Sequence, residues 1–170
     1  DARGRLLKQT DALGGQTTFA YNIGDQVTQV VDPRGLTTNY EYDGFGQLWK
    51  QTSPDTGTTL NQFDASGLQT QTTRNDGGVT NFAYDGIGRV TTISADGQQH
   101  TYGYDSCSGG VGRLCSVSAP GTTSHFDYNA AGQLTTRRDW IEATDGVTDN
   151  STRYGYDNIG RLGGITYPDG

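Results

Sequence analysis

The chain has no methionine, two cysteines, two histidines and four prolines, and it is poor in aliphatic residues. Leu, Ile, Val and Phe together make 29 of 170 residues, about 17%. A share below roughly 20% reads as disorder when net charge is also high. That second condition fails, because the net charge is only −7. So little aliphatic material argues against a helical bundle, a coiled coil and a large conventional core. No stretch approaches the ~20 apolar residues of a membrane helix, so no membrane span is expected. A pI near 4.5 lacks the basic footprint of nucleic-acid binding, so no nucleic-acid partner is expected. The opening Asp1-Ala2-Arg3-Gly4 has no initiator Met and no apolar h-region, and reads as a piece of a longer protein or a mature product.

What the chain does have is 26 Gly, 25 Thr and 10 Tyr. Thr and Tyr favour strands, and Gly favours turns. The residues also repeat. Units begin near Asp1, Asn22, Asp43, Asp64, Asp85, Asp105, Asn129 and Asp157, at spacings of 21, 21, 21, 21, 20, 24 and 28 residues. Such self-similarity is the signature of a repeat architecture. Three good copies are Tyr42-Asp43-Gly44-Phe45-Gly46-Gln47-Leu48, Tyr84-Asp85-Gly86-Ile87-Gly88-Arg89-Val90 and Tyr156-Asp157-Asn158-Ile159-Gly160-Arg161-Leu162.

The aromatics carry the strand assignment. The residue before each Asp or Asn is Tyr21, Tyr42, Phe63, Tyr84, Tyr104, Tyr128 or Tyr156. Two residues earlier stand Phe19, Tyr40, Asn61, Phe82, Tyr102, Phe126 and Tyr154, aromatic in six of seven copies. A spacing of two puts both rings on one face of a strand, whereas a helix would point them apart. Each unit therefore reads as an aromatic strand, an Asp-x-x-Gly turn and a second strand. A second turn closes it, at Asp32-Pro33-Arg34-Gly35, Pro54-Asp55-Thr56-Gly57, Asp76-Gly77-Gly78, Asp96-Gly97, Asp145-Gly146 and Pro168-Asp169-Gly170. The expected fold is all-β: an antiparallel meander of about 14–16 short strands, with 1–170 as a single array.

Some units depart from the pattern. Gly24 sits one place early, and Asp25 holds the expected Gly position. Leu68 comes one position early, and because a one-residue slip would flip that strand's faces, a bulge is expected there. The segment Trp140-Ile141-Glu142-Ala143-Thr144-Asp145-Gly146 is extra length, expected to extend a hairpin.

These residues resemble the YD repeat of RHS proteins, which runs approximately Tyr-Asp-x-x-Gly-Arg-Leu with a Pro-Asp-Gly-like turn further on. The resemblance covers essentially the whole chain in about seven copies. The family includes bacterial RHS and wall-associated polymorphic toxins, the C components of insecticidal toxin complexes and teneurins. The resemblance implies a β-sheet that spirals into a hollow shell, enclosing a C-terminal effector in the toxins. A chain of this length would supply an arc or short spiral of such a shell. No C-terminal toxin domain is recognised, since the sequence stops in a turn at Gly170. The family's core ends in a self-cleaving Asp-Pro-x-Gly-Leu-like motif. Asp32-Pro33-Arg34-Gly35-Leu36 is similar, but it occupies an ordinary turn position, and Pro at the second place of a type I turn accounts for it.

Chemical constellations are sparse. His100 falls on the face of its ring pair and His125 on the opposite face, with no further ligands nearby, so both are expected to be structural or solvated. The turn carboxylates match neither the Gly-Gly-x-Gly-x-Asp calcium repeat nor the EF-hand spacing. No metal and no cofactor are expected. Asn150-Ser151-Thr152 matches a glycosylation sequon, a short pattern expected to be unused in a bacterial protein. Arg137-Arg138 near Trp140 reads as an exposed hairpin.

Cys107 and Cys115 share an expanded turn, and a hairpin there would bring them together. A disulfide closing this loop would contribute about 2–3 kcal/mol and imply an oxidising compartment. Two reduced thiols or a two-cysteine metal site are the alternatives. The regular aromatics read as core, with cross-strand rings stacking. A sugar platform would instead use the irregular ones, Phe45, Trp49, Trp140 and Tyr167.

The reading is a non-enzymatic structural segment of a secreted or surface-exposed bacterial RHS protein. Its expected partners are further repeats of the same chain or identical copies, with an enclosed toxin or surface glycans. An adhesion module and an autoproteolytic fragment are the alternatives.

Overall fold

The computed structural model of the chain describes residues 1–143 and 146–168. The proposed turns at Asp145-Gly146 and Pro168-Asp169-Gly170 therefore fall partly outside the described residues, as does Thr144. Among the described residues every long regular element is a strand. Fifteen antiparallel strands follow one another in sequence order, as a meander. The chain divides into two compact units, Asp1–Asn81 and Phe82–Gly170.

The first unit holds β1 (Lys8–Thr10), β2 (Gln16–Tyr21), β3 (Val27–Val31), β4 (Thr37–Tyr42), β5 (Leu48–Ser53), β6 (Gly57–Phe63), β7 (Gln69–Thr73) and the start of β8 (Val79–Tyr84). Hairpins β2–β3, β4–β5 and β6–β7 close along one edge, at residues 22–26, 43–47 and 64–68. Each carries a register shift just before its last aromatic, at Ala20/Tyr21, Glu41/Tyr42 and Gln62/Phe63. One extra residue stands out of register on the returning strand: Thr28, Trp49 or Thr70. We call this the bulged edge. Bulges bend a strand and raise its twist. Connections on the opposite edge carry no shift.

The second unit holds β9 (Val90–Ala95), β10 (Gln98–Tyr104), β11 (Leu114–Ala119), β12 (Thr122–Tyr128), β13 (Leu134–Ala143), β14 (Gly146–Tyr156) and β15 (Leu162–Thr166). It repeats the scheme, with shifts at Gly103/Tyr104, Asp127/Tyr128 and Gly155/Tyr156. The long hairpin expected around Trp140 is β13–β14, whose strands run to 10 and 11 residues.

The bulge expected near Leu68 is present, and it is general, since every bulged hairpin described has one. Gln69 stands opposite Phe63, where Leu48 stands opposite Tyr42, so the backbone register is unchanged and only the side chain differs. One expectation needs correction: the regular aromatics do not stack on one another. The strands that carry them alternate with strands that carry none of the repeat aromatics, so successive repeat rings are two strands apart, about 10 Å. Their cross-strand partners are instead residues such as Val30 for Phe19, Val117 for Tyr102 and Ile165 for Tyr154. With one layer of sheet, the rings are half-buried. Among the described residues only Gly110 and Cys115 are buried, Cys115 at 2% exposure.

Candidate functional site

The bulged edge concentrates the side-chain chemistry. Asp and Asn open these turns because their short side chains can accept backbone N–H groups two residues on. Among the described residues nine turns are built alike, headed by Asp1, Asp11, Asn22, Asp32, Asp43, Asp64, Asp85, Asn129 and Asp157. In each, one side-chain oxygen accepts the N–H of the second and the fourth following residues, at 2.7–3.1 Å. Asp11 and Asp32 head turns on the opposite edge. Asp25 does take the turn-ending role, with φ +62°. Asp tolerates that left-handed conformation better than most residues do.

Backbone pairing between consecutive bulged hairpins stops short of this edge. Strand β4 pairs with β3 only over Thr37–Asn39. Beyond that point a tyrosine bridges the gap: Tyr42 Oη donates to the Val27 carbonyl at 2.9 Å. Tyr21 does the same to Leu6 at 2.8 Å, Tyr104 to Val90 at 2.9 Å, Tyr128 to Leu114 at 2.7 Å and Tyr156 to Leu134 at 2.9 Å. Phe63 has no hydroxyl to give. There Asn61 Nδ2 donates to the Leu48 carbonyl at 2.9 Å. Asn61 Oδ1 in turn accepts from Gln69 Nε2 and Thr72 Oγ1, each at 3.0 Å.

A second set of links runs from each turn to the next. Gln26 Nε2 donates to the Gly46 carbonyl at 2.7 Å, Gln47 Nε2 to Gly67 at 2.9 Å and Gln133 Nε2 to Gly160 at 2.7 Å. Where the residue is Arg5, Arg89 or Arg161 it makes ion pairs instead. Arg89 reaches Asp85 at 2.7 Å and Asp105 at 2.6 Å, and lies 4.3 Å from the Tyr104 ring centroid. Arg5 spans Asp1 and Asp25 in the same way, over Tyr21. The Arg89 N–H, and after it the guanidinium and the Ile87 N–H, holds the Asp85 carboxyl below its ordinary range against partial desolvation. Asp157 is lowered too, first by the Arg161 guanidinium and then by the Arg161 N–H.

The RHS repeat family model matches residues 1–36, 24–58 and 63–99, more than half of the chain. The chain belongs to the RHS repeat family. A search of the curated proteins returns no match. Solved structures share the RHS fold. The Photorhabdus luminescens Tc holotoxin pore superposes with a TM-score of 0.71 at 17% identity, over 89% of this chain and 9% of that one. TcdB2-TccC3 without its hypervariable C-terminal region gives 0.71 at 18%, over 90% and 9%. TcdB2-TccC3-Cdc42 gives 0.69 at 16%, over 91% and 9%. The chain thus spans only about 9% of the length of these structures.

The irregular aromatics sit at scattered points of the RHS units. Phe45 is at a turn tip, 94% exposed, beside a cleft of about 250 Å³ shared with Gln47 and the 64–67 turn. Trp49 is the bulge residue of β5, 38% exposed, with Lys50 Nζ 5.6 Å from its ring centroid. Trp140 meets His125 edge-on at 4.7 Å, and Tyr167 is 62% exposed after β15. Among the described residues no ring contact joins any two of the four. His100 is exposed opposite Ile93. Arg137 and Arg138 are ion-paired, with Asp139 at 2.8 Å and Asp127 at 3.0 Å, so that basic spot is locally neutralised. Asn150 lies within β14, opposite Asp139. Asp32 and Pro33 form an ordinary Asx turn of the opposite edge, with Asp32 accepting from Arg34 and Leu36. Cys107 and Cys115 are joined as a disulfide, with Cα atoms 5.3 Å apart. No group of three or more metal-type ligands occurs among the described residues.

The tyrosine links and the glutamine links were missed in the sequence. The signal for the first was present, as Tyr outnumbering Phe six to one directly before the turn residue.

Proposed function

We propose that the chain is a non-catalytic wall segment of a larger RHS protein of a bacterium, secreted or held at the cell surface. In this reading residues 1–170 form one array that supplies an arc or short spiral of a β-shell. Further repeats of the same chain, or identical copies, continue the wall around an enclosed toxin or build an extended extracellular β-assembly. One observation carries this reading. The residues that define the repeat are those that join one hairpin to the next, through the tyrosine hydroxyls and the Gln and Arg links. Stability in such an array accrues from neighbour to neighbour. The fold shared with Tc holotoxin and TcdB2-TccC3 structures supports a toxin-associated shell.

Electron microscopy of the protein with its flanking sequence tests this. Hollow particles are expected, with the following domain protected from protease. A solid rod, or a following domain cleaved as fast as when isolated, would overturn the shell.

The exposure of Phe45 and Trp49 favours a second reading, adhesion to surface glycans. Rings can stack on sugar faces. A glycan array with the parent and Trp49→Ala separates the two; no binding by the parent removes adhesion.

A further inference from the structure

The β10–β11 hairpin departs from the others at its turn. From Asp85 to Arg89 a turn takes five residues, whereas from Asp105 to Arg113 it takes nine, although the closing bond is the same, Asp105 N–H to Arg113 O at 3.1 Å in the structure. Asp105 accepts the N–H of Gly112 at 2.7 Å and lacks the paired N–H contacts of the short turns. Cys115 is the bulge residue, between the pairs Tyr104–Leu114 and Gly103–Ser116. Cys107 folds back over it, and its N–H donates to Cys115 Sγ at 3.0 Å. Gly110 is buried beneath the bridge, where a Cβ would collide with both sulfurs.

The loop also reaches the next repeat. Tyr128 N–H donates to the Ser108 carbonyl at 2.8 Å. Gly109, at φ +61°, lies so close to the backbone of Tyr128 and Asn129 that a Cβ would overlap the Tyr128 carbonyl. Backbone pairing of β11 with β12 ends at Ser116 and His125, so this contact lies where the sheet is otherwise held by the Tyr128 hydroxyl.

We propose that the Cys107–Cys115 bridge is a reducible latch that fixes the 105–113 loop onto the following repeat. Closed, it replaces the Asx cradle that orders the short turns. Open, the segment with its three glycines keeps only holds within the loop, among them Gly112 N–H on Asp105 at 2.7 Å, Arg113 N–H on the Gly110 carbonyl at 2.7 Å and the Arg113 guanidinium on the Gly109 and Val111 carbonyls at 3.2 and 3.1 Å. The junction between β11 and β12 then loosens at the bulged edge, while the β10–β11 ladder from Thr101 to Gly103 persists. Cys107 is half-buried between exposed Ser106 and Ser108, so a thiol can reach its sulfur, whereas Cys115 is covered. A dithiol supplies the electrons and protons. Its thiolate attacks Cys107 Sγ, the S–S bond breaks, and the Cys115 thiolate leaves and takes up a proton. The second thiol of the reductant then closes on the mixed disulfide, releasing Cys107 as a thiol and the reductant as a cyclic disulfide. The device rests on the loop geometry and does not depend on the shell.

Hydrogen exchange read by mass spectrometry, with and without dithiothreitol, tests it. Intact mass must show a gain of two hydrogens on reduction. Exchange in 107–113 and at Tyr128 is then expected to rise roughly tenfold or more, with the rest of the sheet unchanged. The double variant Cys107→Ser, Cys115→Ser should exchange like the reduced protein and ignore the reductant. Gly109→Ala should loosen Tyr128 with the bridge intact. Unchanged protection after full reduction would overturn the latch. So would general loss of protection, or free thiols in material prepared under oxidising conditions.

Discussion

Asn61 donates to the Leu48 carbonyl at 2.9 Å, the place a tyrosine hydroxyl fills in neighbouring hairpins. Two departures from the repeat, Asn for an aromatic and Phe for Tyr, thus compensate each other. The fold tolerates them because what it requires at that point is a donor to one carbonyl.

Restoring the hydroxyl with Phe63→Tyr should make the Asn61 donor redundant. Asn61→Ala is expected to destabilise the parent by about 1 kcal/mol, and the Phe63→Tyr protein by clearly less. Denaturant unfolding of the four proteins of this cycle measures the coupling. Strictly additive losses would show that the two side chains do not share the Leu48 carbonyl.

The hydroxyl links themselves should be measurable one at a time. Tyr42→Phe and Tyr128→Phe keep the ring and remove only the bond to Val27 or Leu114. Each is expected to cost about 0.5–1.5 kcal/mol, since a carbonyl loses its partner. Equal stability of Tyr42→Phe and the parent by thermal unfolding would mean that water replaces the hydroxyl fully.

The strands and their turns were legible because both rest on local rules. A spacing of two aligns Tyr40 with Tyr42, and Asp43 meets N–H groups only two and four residues away. The bonds that join hairpins were not legible, because their partners lie farther off in the chain. Gln47 and Gly67 are 20 residues apart, and nothing near Gln47 marks that carbonyl as its acceptor. The early Leu68 pointed to a bulge that is present, but one copy could not show that the bulge recurs in the other hairpins, nor that the common register places Gln69 beside Asn61. The cysteine pairing could be read from one expanded turn. The seat of that loop on Tyr128 could not.

Acid should weaken the turns. Asp85, Asp105 and Asp157 all titrate below their ordinary value of 3.8 when folded, held there by Arg89 or Arg161 and by turn N–H groups. A depressed folded pKa gives stability that is present above the unfolded value and lost as pH falls through the folded one. Unfolding midpoints should therefore hold steady near neutrality and drop as pH falls below 3.8. Asp157→Asn keeps the turn acceptor, as Asn22 and Asn129 show, and removes the titration. Its acid loss should be shallower than that of the parent in a pH series of thermal melts. An identical acid profile would assign the loss to other groups.

The end strand β15 should make the isolated chain associate. It pairs with β14, reads Leu162-Gly163-Gly164-Ile165-Thr166, and is exposed throughout. Such an edge offers a row of free backbone groups and has none of the lysines, prolines or inward charges that blunt edges. Light scattering is expected to show mass rising with concentration. Gly164 has open space around a Cβ and no left-handed backbone, so Gly164→Lys adds a charge to the edge without a clash. That variant should stay monomeric at concentrations where the parent associates. Its melting temperature should match or exceed the parent's, since glycine weakens a strand. A parent that remains monomeric at high concentration would show that the edge is protected by its twist alone.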